Sequence, residues 1–409
     1  MSSAHAPAKP TDINIPETSL WAKLPVIGAV VGLVCLFATI GFAGGEHRAR
    51  AMFSYLFAFE VFLGLALAAL GFLLIDTVAR AAWSVVIRRI AETMAATLPV
   101  FAVLFIPIIA IGYHELYPWT HETDAVLERK RWFLSDGFFM GRAVAYFIIW
   151  SILAIVMYRG SLANDTTTDA AAVERRVRRL WAVAAAGIIL YALTQSFAAI
   201  DWMMSLMPHW YSTIFGVYFF AASVQAYFAF IALVTMALQR AGVLKDAVTS
   251  EHFHDLGKYT FGFTIFWAYI AFSQFVLIWY ANIPEETEFY IMRLHGGWAG
   301  ISYALPVLHF FVPFFFLLSR HVKRKRVGLG LGAAYILFMY LVDFYWLILP
   351  NFKVEGSHES HFHIVWTDIT ALIGIGGVFF AVFAFLLKRN RVIAINDPRL
   401  TESLVHENY

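Results

Sequence analysis

Residues Gln195–Gln225 read QSFAAIDWMMSLMPHWYSTIFGVYFFAASVQ. The first residues close one apolar run and the last ones lie inside the next. Between them is a tight aromatic turn, Asp201 to Tyr211. A hydrophobic helix comes up to a membrane surface, turns and goes back. Trp202, Trp210 and Tyr211 suit the headgroup layer, where an amphipathic ring keeps one edge wet. Pro208 cannot continue a helix and is well placed just before the next one starts. On composition alone this is an interfacial hairpin.

The rest of the chain extends that pattern. Of its 409 residues, 60% are hydrophobic, 17% aromatic and only 14% charged. A soluble domain would carry about 25% charged residues. The fold class expected is therefore an all-α polytopic membrane protein. Apolar runs of about 20 residues, enough to span, fall near Leu24–Phe42, Phe53–Ile75, Thr93–Gly112, Phe138–Met157, Leu180–Ile200, Tyr211–Leu238, Tyr259–Tyr280, Gly297–Leu318, Gly328–Leu349 and Ile364–Leu387. These ten spans, numbered one to ten, leave both termini on one side. Residues 1–23 and 388–409 are read as tails around a membrane domain of residues 24–387; the polar, Pro-containing start carries no signal-peptide pattern and reads as mobile.

Lys and Arg orient the chain. Arg80, Arg88, Arg89, Arg175, Arg176, Arg178, Arg179, Arg320, Lys323, Arg324, Lys325, Arg326, Lys388, Arg389 and Arg391 lie on the side of the termini. The opposite side has mainly Arg48, Arg50, Arg129, Lys130 and Arg131. The positive-inside rule then places both termini in the cytoplasm. The 77–91 segment is too short and too basic to span and reads as an amphipathic cytoplasmic segment. The basic collar at 174–180 reads as a topology signal. No nucleic-acid partner is expected; membrane lipid is.

Ionisable groups inside the hydrocarbon cost roughly 2.5–3.5 kcal/mol each on insertion scales, so each needs a reason. Glu60 lies about two turns inside span two, and Asp343 at a similar depth in span nine. His309 is near the middle of span eight. Arg142 and Asp368 lie about one turn inside spans four and ten. Asp201 and Asp136 are at the outer edge. Gln195, Gln225 and Gln274 add neutral polar groups, and Tyr269, Ser273 and Tyr280 form a hydroxyl-bearing stripe at helical spacing on span seven. Most of these groups lie in the outer half or at the centre. Carboxylates, a histidine and hydroxyls at several depths can relay protons. A route from the outer face would run from Asp201, Tyr269, Ser273 and Gln274 through Glu60 or Asp343 to His309. Glu60 and Asp343 are expected to be protonated at rest, because burial disfavours the charged form. For Arg142, Asp136 and Asp368 structural ion pairing is the expectation, with Asp136 or Glu60 as partners of Arg142.

Cys35 is the only cysteine, which excludes disulfides and cysteine-ligated clusters within the chain, and no Cys-x-x-Cys-His occurs for covalent c-type haem. Bis-histidine haem is not expected, since His309 has no clear buried partner; His295 is at the outer edge and His321 in a basic loop. His358, His361 and His363 read as a solvated or partner-contacting loop rather than a metal site.

The 200–223 stretch IDWMMSLMPHWYSTIFGVYFFAAS resembles the central hairpin of the membrane subunits of alternative complex III, a bacterial quinol:electron-acceptor oxidoreductase. His254–Arg293, HDLGKYTFGFTIFWAYIAFSQFVLIWYANIPEETEFYIMR, is similar to the F-type membrane component of that complex rather than the paralogous C-type. Both belong to the NrfD/polysulfide-reductase membrane-subunit family. The resemblance implies two four-helix bundles, spans two to five and six to nine, flanked by spans one and ten. It implies partners: the paralogous NrfD-like membrane component of the C-type, a periplasmic iron–sulfur subunit and multihaem cytochrome c subunits. Quinol or quinone would lie nearby, with c-type haems and iron–sulfur clusters in the partner subunits. The chain itself would be non-catalytic, supporting the complex in the bacterial inner membrane and supplying a proton path. The alternatives are a stand-alone secondary transporter and a purely structural anchor for redox subunits.

Overall fold

A computed structural model describes residues 10–11, 13–353 and 360–408. All regular structure among them is helical. Among the described residues, ten helices are long and apolar enough to cross a membrane: Leu20–Gly41, Arg48–Val78, Val85–Leu116, Asp136–Asp165, Ala170–Leu206, Phe215–Arg240, Ser250–Ala281, Ala299–Leu318, Arg326–Asn351 and Trp366–Arg389. Each coincides with one apolar run of the sequence. The chain is an all-α polytopic membrane protein.

Local chemistry sets several ends. Span five starts where Asp169 caps the Ala171 N–H at 2.9 Å. Span seven starts with a capping box, in which Thr249 accepts from Glu251 N and His252 accepts from Thr249 N. It stops at Asn282, which takes the left-handed conformation. Spans three and eight each break into a π-helical turn, Ile108–Gly112 after Pro107 and Pro306–Phe311, because a proline ring cannot hold the regular ladder.

Spans two and six are the interior helices, with 89% and 83% of their apolar windows buried. Span two packs on spans three, four and five; span six packs on spans seven and nine, and span eight closes the group against seven and nine. Spans two and six touch each other, so two four-helix groups meet along their first helices. Span one, only 17% buried, lies almost wholly on span ten. Lipid tails give no hydrophobic drive for that pairing, so close approach must supply it. Gly28 and Gly32 meet Gly374 and Gly377 there: a Cβ on Gly32 would lie 2.9 Å from the Gly377 carbonyl carbon.

With an even number of spans, both ends share one face, called here the termini face; Val392 N donates to Ile13 O at 2.8 Å across it. The C-terminal segment is a packed belt rather than a free tail. Val392, Ile393, Ala394 and Leu400 are buried, Arg391 reaches Asp165 O, Arg399 reaches Ala81 O, His252 meets Ser403 O, and His406 meets Asp255. It ties span four, the loop after span two, and span seven together.

Of the basic residues in the 77–91 segment, Arg80 is exposed but Arg88 and Arg89 are not on the surface. Val85–Ala95 is buried on every side and forms the first turns of span three. Arg88 pairs with Glu92 at 3.1 Å and Asp397 at 2.5 Å; Arg89 pairs with Asp165 at 3.0 Å and Glu92 at 3.1 Å. Mutual neutralisation lets these charges enter, which a count of cations along the chain does not register. Although burial pushes Asp397 up, the Arg88 and Arg399 guanidiniums hold its carboxyl well below the usual carboxylate range.

The opening hairpin also differs from expectation. Trp202 is fully buried, stacked on Phe147 at 5.4 Å and packed on Phe105 and Trp150. Trp210 is 2% exposed, stacks on Phe289 at 4.3 Å and donates to Glu286 O. Only Tyr211 faces outward. Rings of spans two, three and four bury Trp202, and the loops before span four and before span eight cover the turn and Trp210, so both tryptophans are core residues rather than headgroup anchors.

Candidate functional site

Each helix of the second group gives one side chain to a single buried cluster. Asp343, on span nine, has no exposure. Its Oδ1 accepts from Tyr218 of span six at 2.6 Å and its Oδ2 from Trp267 Nε1 of span seven at 3.0 Å. The Trp267 ring lies on the His309 imidazole of span eight, centroids 4.0 Å apart. His309 sits in the π-turn after Pro306, fully buried, and neither ring nitrogen has a hydrogen-bond partner. Asp343 has two neutral donors and, among the described residues, no paired cation.

Glu60 is the corresponding group of span two. It is 1% exposed and its Oε1 has no partner. One turn further along, Gly64 leaves room for the Tyr340 hydroxyl and for Ser223, whose Oγ would lie 2.6 Å from a Cβ there. Tyr340, three residues before Asp343 on span nine, donates to Val61 O of span two at 3.0 Å. It lies within electrostatic range of both Glu60 and Asp343. Tyr117, whose hydroxyl reaches Trp202 O at 3.4 Å, is within range of Glu60 and Asp201. Tyr340 thus stands between the two unpaired carboxylates, and Tyr117 between Glu60 and the paired Asp201.

The other carboxylates are paired. Asp201 takes both oxygens to Arg142, at 2.8 and 2.7 Å, and accepts from Tyr146 at 2.8 Å. Arg142 therefore pairs with neither Asp136 nor Glu60; Asp136 accepts from Tyr113 at 2.8 Å. Asp368 is held by Arg50 at 2.8 and 2.6 Å, with Ser54 and Tyr345. A bidentate guanidinium satisfies a carboxylate in charge and geometry together. Glu60 and Asp343 lack that compensation.

The stripe on span seven turns away from the cluster: Tyr269 is 64% and Tyr280 85% exposed, and Ser273 is half-buried. Gln274 is buried, accepting from Ser212 at 2.9 Å. On the termini side, Thr93, Thr97 and Thr264 bond back to carbonyls of their own helices. Asp76 accepts from Ser84 at 2.6 Å and keeps Oδ2 unpartnered. Gln225 donates to Thr264 and keeps its Oε1 unpartnered.

Sequence reasoning missed Tyr218, Trp267, Tyr340 and two arginines. Arg50 and Arg293 sit at helix ends, where a cation reads as solvated. Arg293 is 1% exposed, donates to the carbonyls of Phe289, Trp346 and Leu347, and packs on the Phe289 ring. It caps the helix ends above Asp343 with positive charge, as the dipole favours. Burial pushes it down to about 9, so it stays charged at neutral pH.

The face opposite the termini holds a broad basin of ≈1650 Å³, lined by residues including Arg50, His114, Met207, His209, Glu288 and Lys353. Of the outer histidines, His363 Nδ1 meets His361 O at 2.9 Å, and His358 lies outside the described residues. No grouping of His, Cys, Asp and Glu that would hold a metal occurs among the described residues.

The fold and the cluster define the class: a multi-pass membrane protein with unpaired buried carboxylates in its interior. Compared with known proteins, the chain matches no family model and no curated relative.

Proposed function

We propose that this chain is a non-catalytic membrane component of a quinol-oxidising complex of the alternative complex III kind, carrying protons through its interior. The observation that carries the proton reading is the contrast among its buried carboxylates. Asp201 and Asp368 each have an arginine; Asp343 and Glu60 have none. A carboxyl without a counter-ion can take up and release a proton without breaking an ion pair. His309, with both nitrogens free, is a third exchange site next to Trp267.

The quinol-linked part of the reading rests on the resemblance of the 200–223 and 254–293 stretches. In it, the basin opposite the termini receives the iron–sulfur and cytochrome c subunits, the paralogous membrane component lies alongside in the bilayer, and both termini are cytoplasmic. Quinol oxidation itself belongs to the partners. The test is a mild-detergent pull-down of the full chain, with a reduced-minus-oxidised visible spectrum and identification of the proteins retained. Haem c absorbance together with a cluster-bearing protein and a second ten-helix chain is the expected result. A colourless, solitary chain contradicts it.

A second reading, a stand-alone secondary transporter, draws on the π-turns of spans three and eight. Transporter halves place such breaks at matching positions. Here they fall in the second helix of one group and the third of the other, which favours the first reading.

A further inference from the structure

Span two ends in a way that keeps a costly side chain. Ala81 N donates to Asp76 O at 3.1 Å and Arg80 N to Thr77 O at 3.2 Å, the paired bonds of a Schellman motif. Arg80 occupies the left-handed position of that motif, with φ of 52°. Glycine is preferred there, and a side chain costs about 1 kcal/mol. Such strain at a residue with an exposed head points to use of the head.

Arg80 is exposed and, among the described residues, faces no carboxylate at ion-pair distance. Its guanidinium stands 5.7 Å over the Trp181 ring. That ring is fixed by Nε1–H donation to Val78 O at 3.1 Å and is itself 38% exposed. Trp181 marks the point on span five where the basic collar gives way to apolar residues, the depth of a headgroup. Arg178, one turn earlier on the same face, is paired with Glu174, both largely exposed and so able to exchange partners. About 7 Å down the helix from Arg80, Ile75 is 49% exposed, a single window through which the otherwise buried body of span two reaches the surface.

We propose that an anionic phospholipid is held at this end of span two, its phosphate on Arg80 and an acyl chain over Ile75 and Trp181. A cation with no carboxylate partner, at headgroup depth, five residues beyond an exposed apolar window on a buried helix, fits a ligand that is anionic at one end and hydrocarbon at the other. The site is independent of the proton reading.

The test uses the full chain in phosphatidylcholine nanodiscs doped with phosphatidylglycerol, reading retained lipid by native mass spectrometry. Arg80→Gly and Arg80→Asn both suit the left-handed position, so folding is not the variable. Both variants are expected to retain phosphatidylglycerol about fivefold less than wild type, the ratio for one basic residue at a membrane surface. In phosphatidylcholine alone their melting temperatures should equal or exceed that of wild type. Glycerol phosphate and inorganic phosphate, which lack chains, should not displace the lipid. Equal retention by wild type and both variants overturns the proposal. Displacement by inorganic phosphate also overturns it, by making the site one for free anions.

Discussion

Tyr218 and Asp343, on spans six and nine, share a 2.6 Å hydrogen bond across the interior of the second helical group. The bond is neutral on the donor side. The equivalent carboxylate of the first group, Asp201, instead takes a bidentate arginine. Asp201 and Asp343 are therefore buried in different ways, and the proposed proton path rests on that difference together with the unpaired Glu60 of the first group.

Stability should follow the same division. Breaking a buried ion pair leaves an orphaned charge and costs about 3–5 kcal/mol. Arg142→Ala and Asp201→Ala are expected to lose that much. Asp343→Asn keeps the Tyr218 bond and disturbs only the one from Trp267, a cost of about 1 kcal/mol. Glu60→Gln should lie in the same small range. Thermal unfolding in detergent orders the four; a loss in Asp343→Asn as large as in Arg142→Ala would mean that Asp343 too is paired scaffold.

Span one should be separable from the rest. Gly32→Leu forces a side chain against the backbone of span ten, at 2.8 Å from Val378 N and 2.9 Å from the Gly377 carbonyl carbon even for its first carbon. Overpacking of this kind costs about 1–3 kcal/mol. Because span one has few other contacts, the two four-helix groups should stay folded. Cys35, the single cysteine, lies half-buried on span one and reports the change directly. Its alkylation by a membrane-permeant maleimide should speed up in Gly32→Leu and stay unchanged in Gly41→Ala, where a Cβ meets nothing.

The C-terminal belt should resist mild acid. Asp397 has its carboxyl depressed by Arg88 and Arg399. A group depressed in the folded state contributes stability that is present above its unfolded value of about 3.9 and is lost as pH falls through the lower folded value. Proteolysis of residues beyond Ile393 should therefore be flat from neutral pH to about pH 4 and rise only below it. Asp397→Asn leaves Arg88 with Glu92 alone and should release the belt at neutral pH, by about 3 kcal/mol. Release of the wild-type belt already near pH 6 would show that a contact other than Asp397 with Arg88 and Arg399 controls it.

The ten spans were legible because hydrocarbon thickness sets run length, and the burial of Glu60, Asp343 and His309 followed from their depth. Partners were not legible. Which helix faces Arg142 depends on packing, and Asp201 was as acidic and as near as Asp136. Trp202 and Trp210 carried an interface signature, yet the groups that cover them, Phe59, Phe105 and Phe147 for one and Phe289 for the other, lie far along the chain. Arg88 and Arg89 read as surface cations because their acids, Asp165 and Asp397, are remote in sequence. Tyr218, Trp267 and Tyr340 sit among many aromatics, and nothing local singles them out. The packed belt after Lys388 is short, polar and irregular, and it folds only against the assembled bundle.

The most direct measurement is protons moved per electron in proteoliposomes holding the assembled complex, for wild type, Glu60→Gln and Asp343→Asn. Both substitutions remove a titratable carboxyl and leave the partner proteins untouched. Quinol oxidation should persist while the proton ratio falls in at least one variant. A ratio unchanged in both would contradict a proton path through this chain and leave it a scaffold.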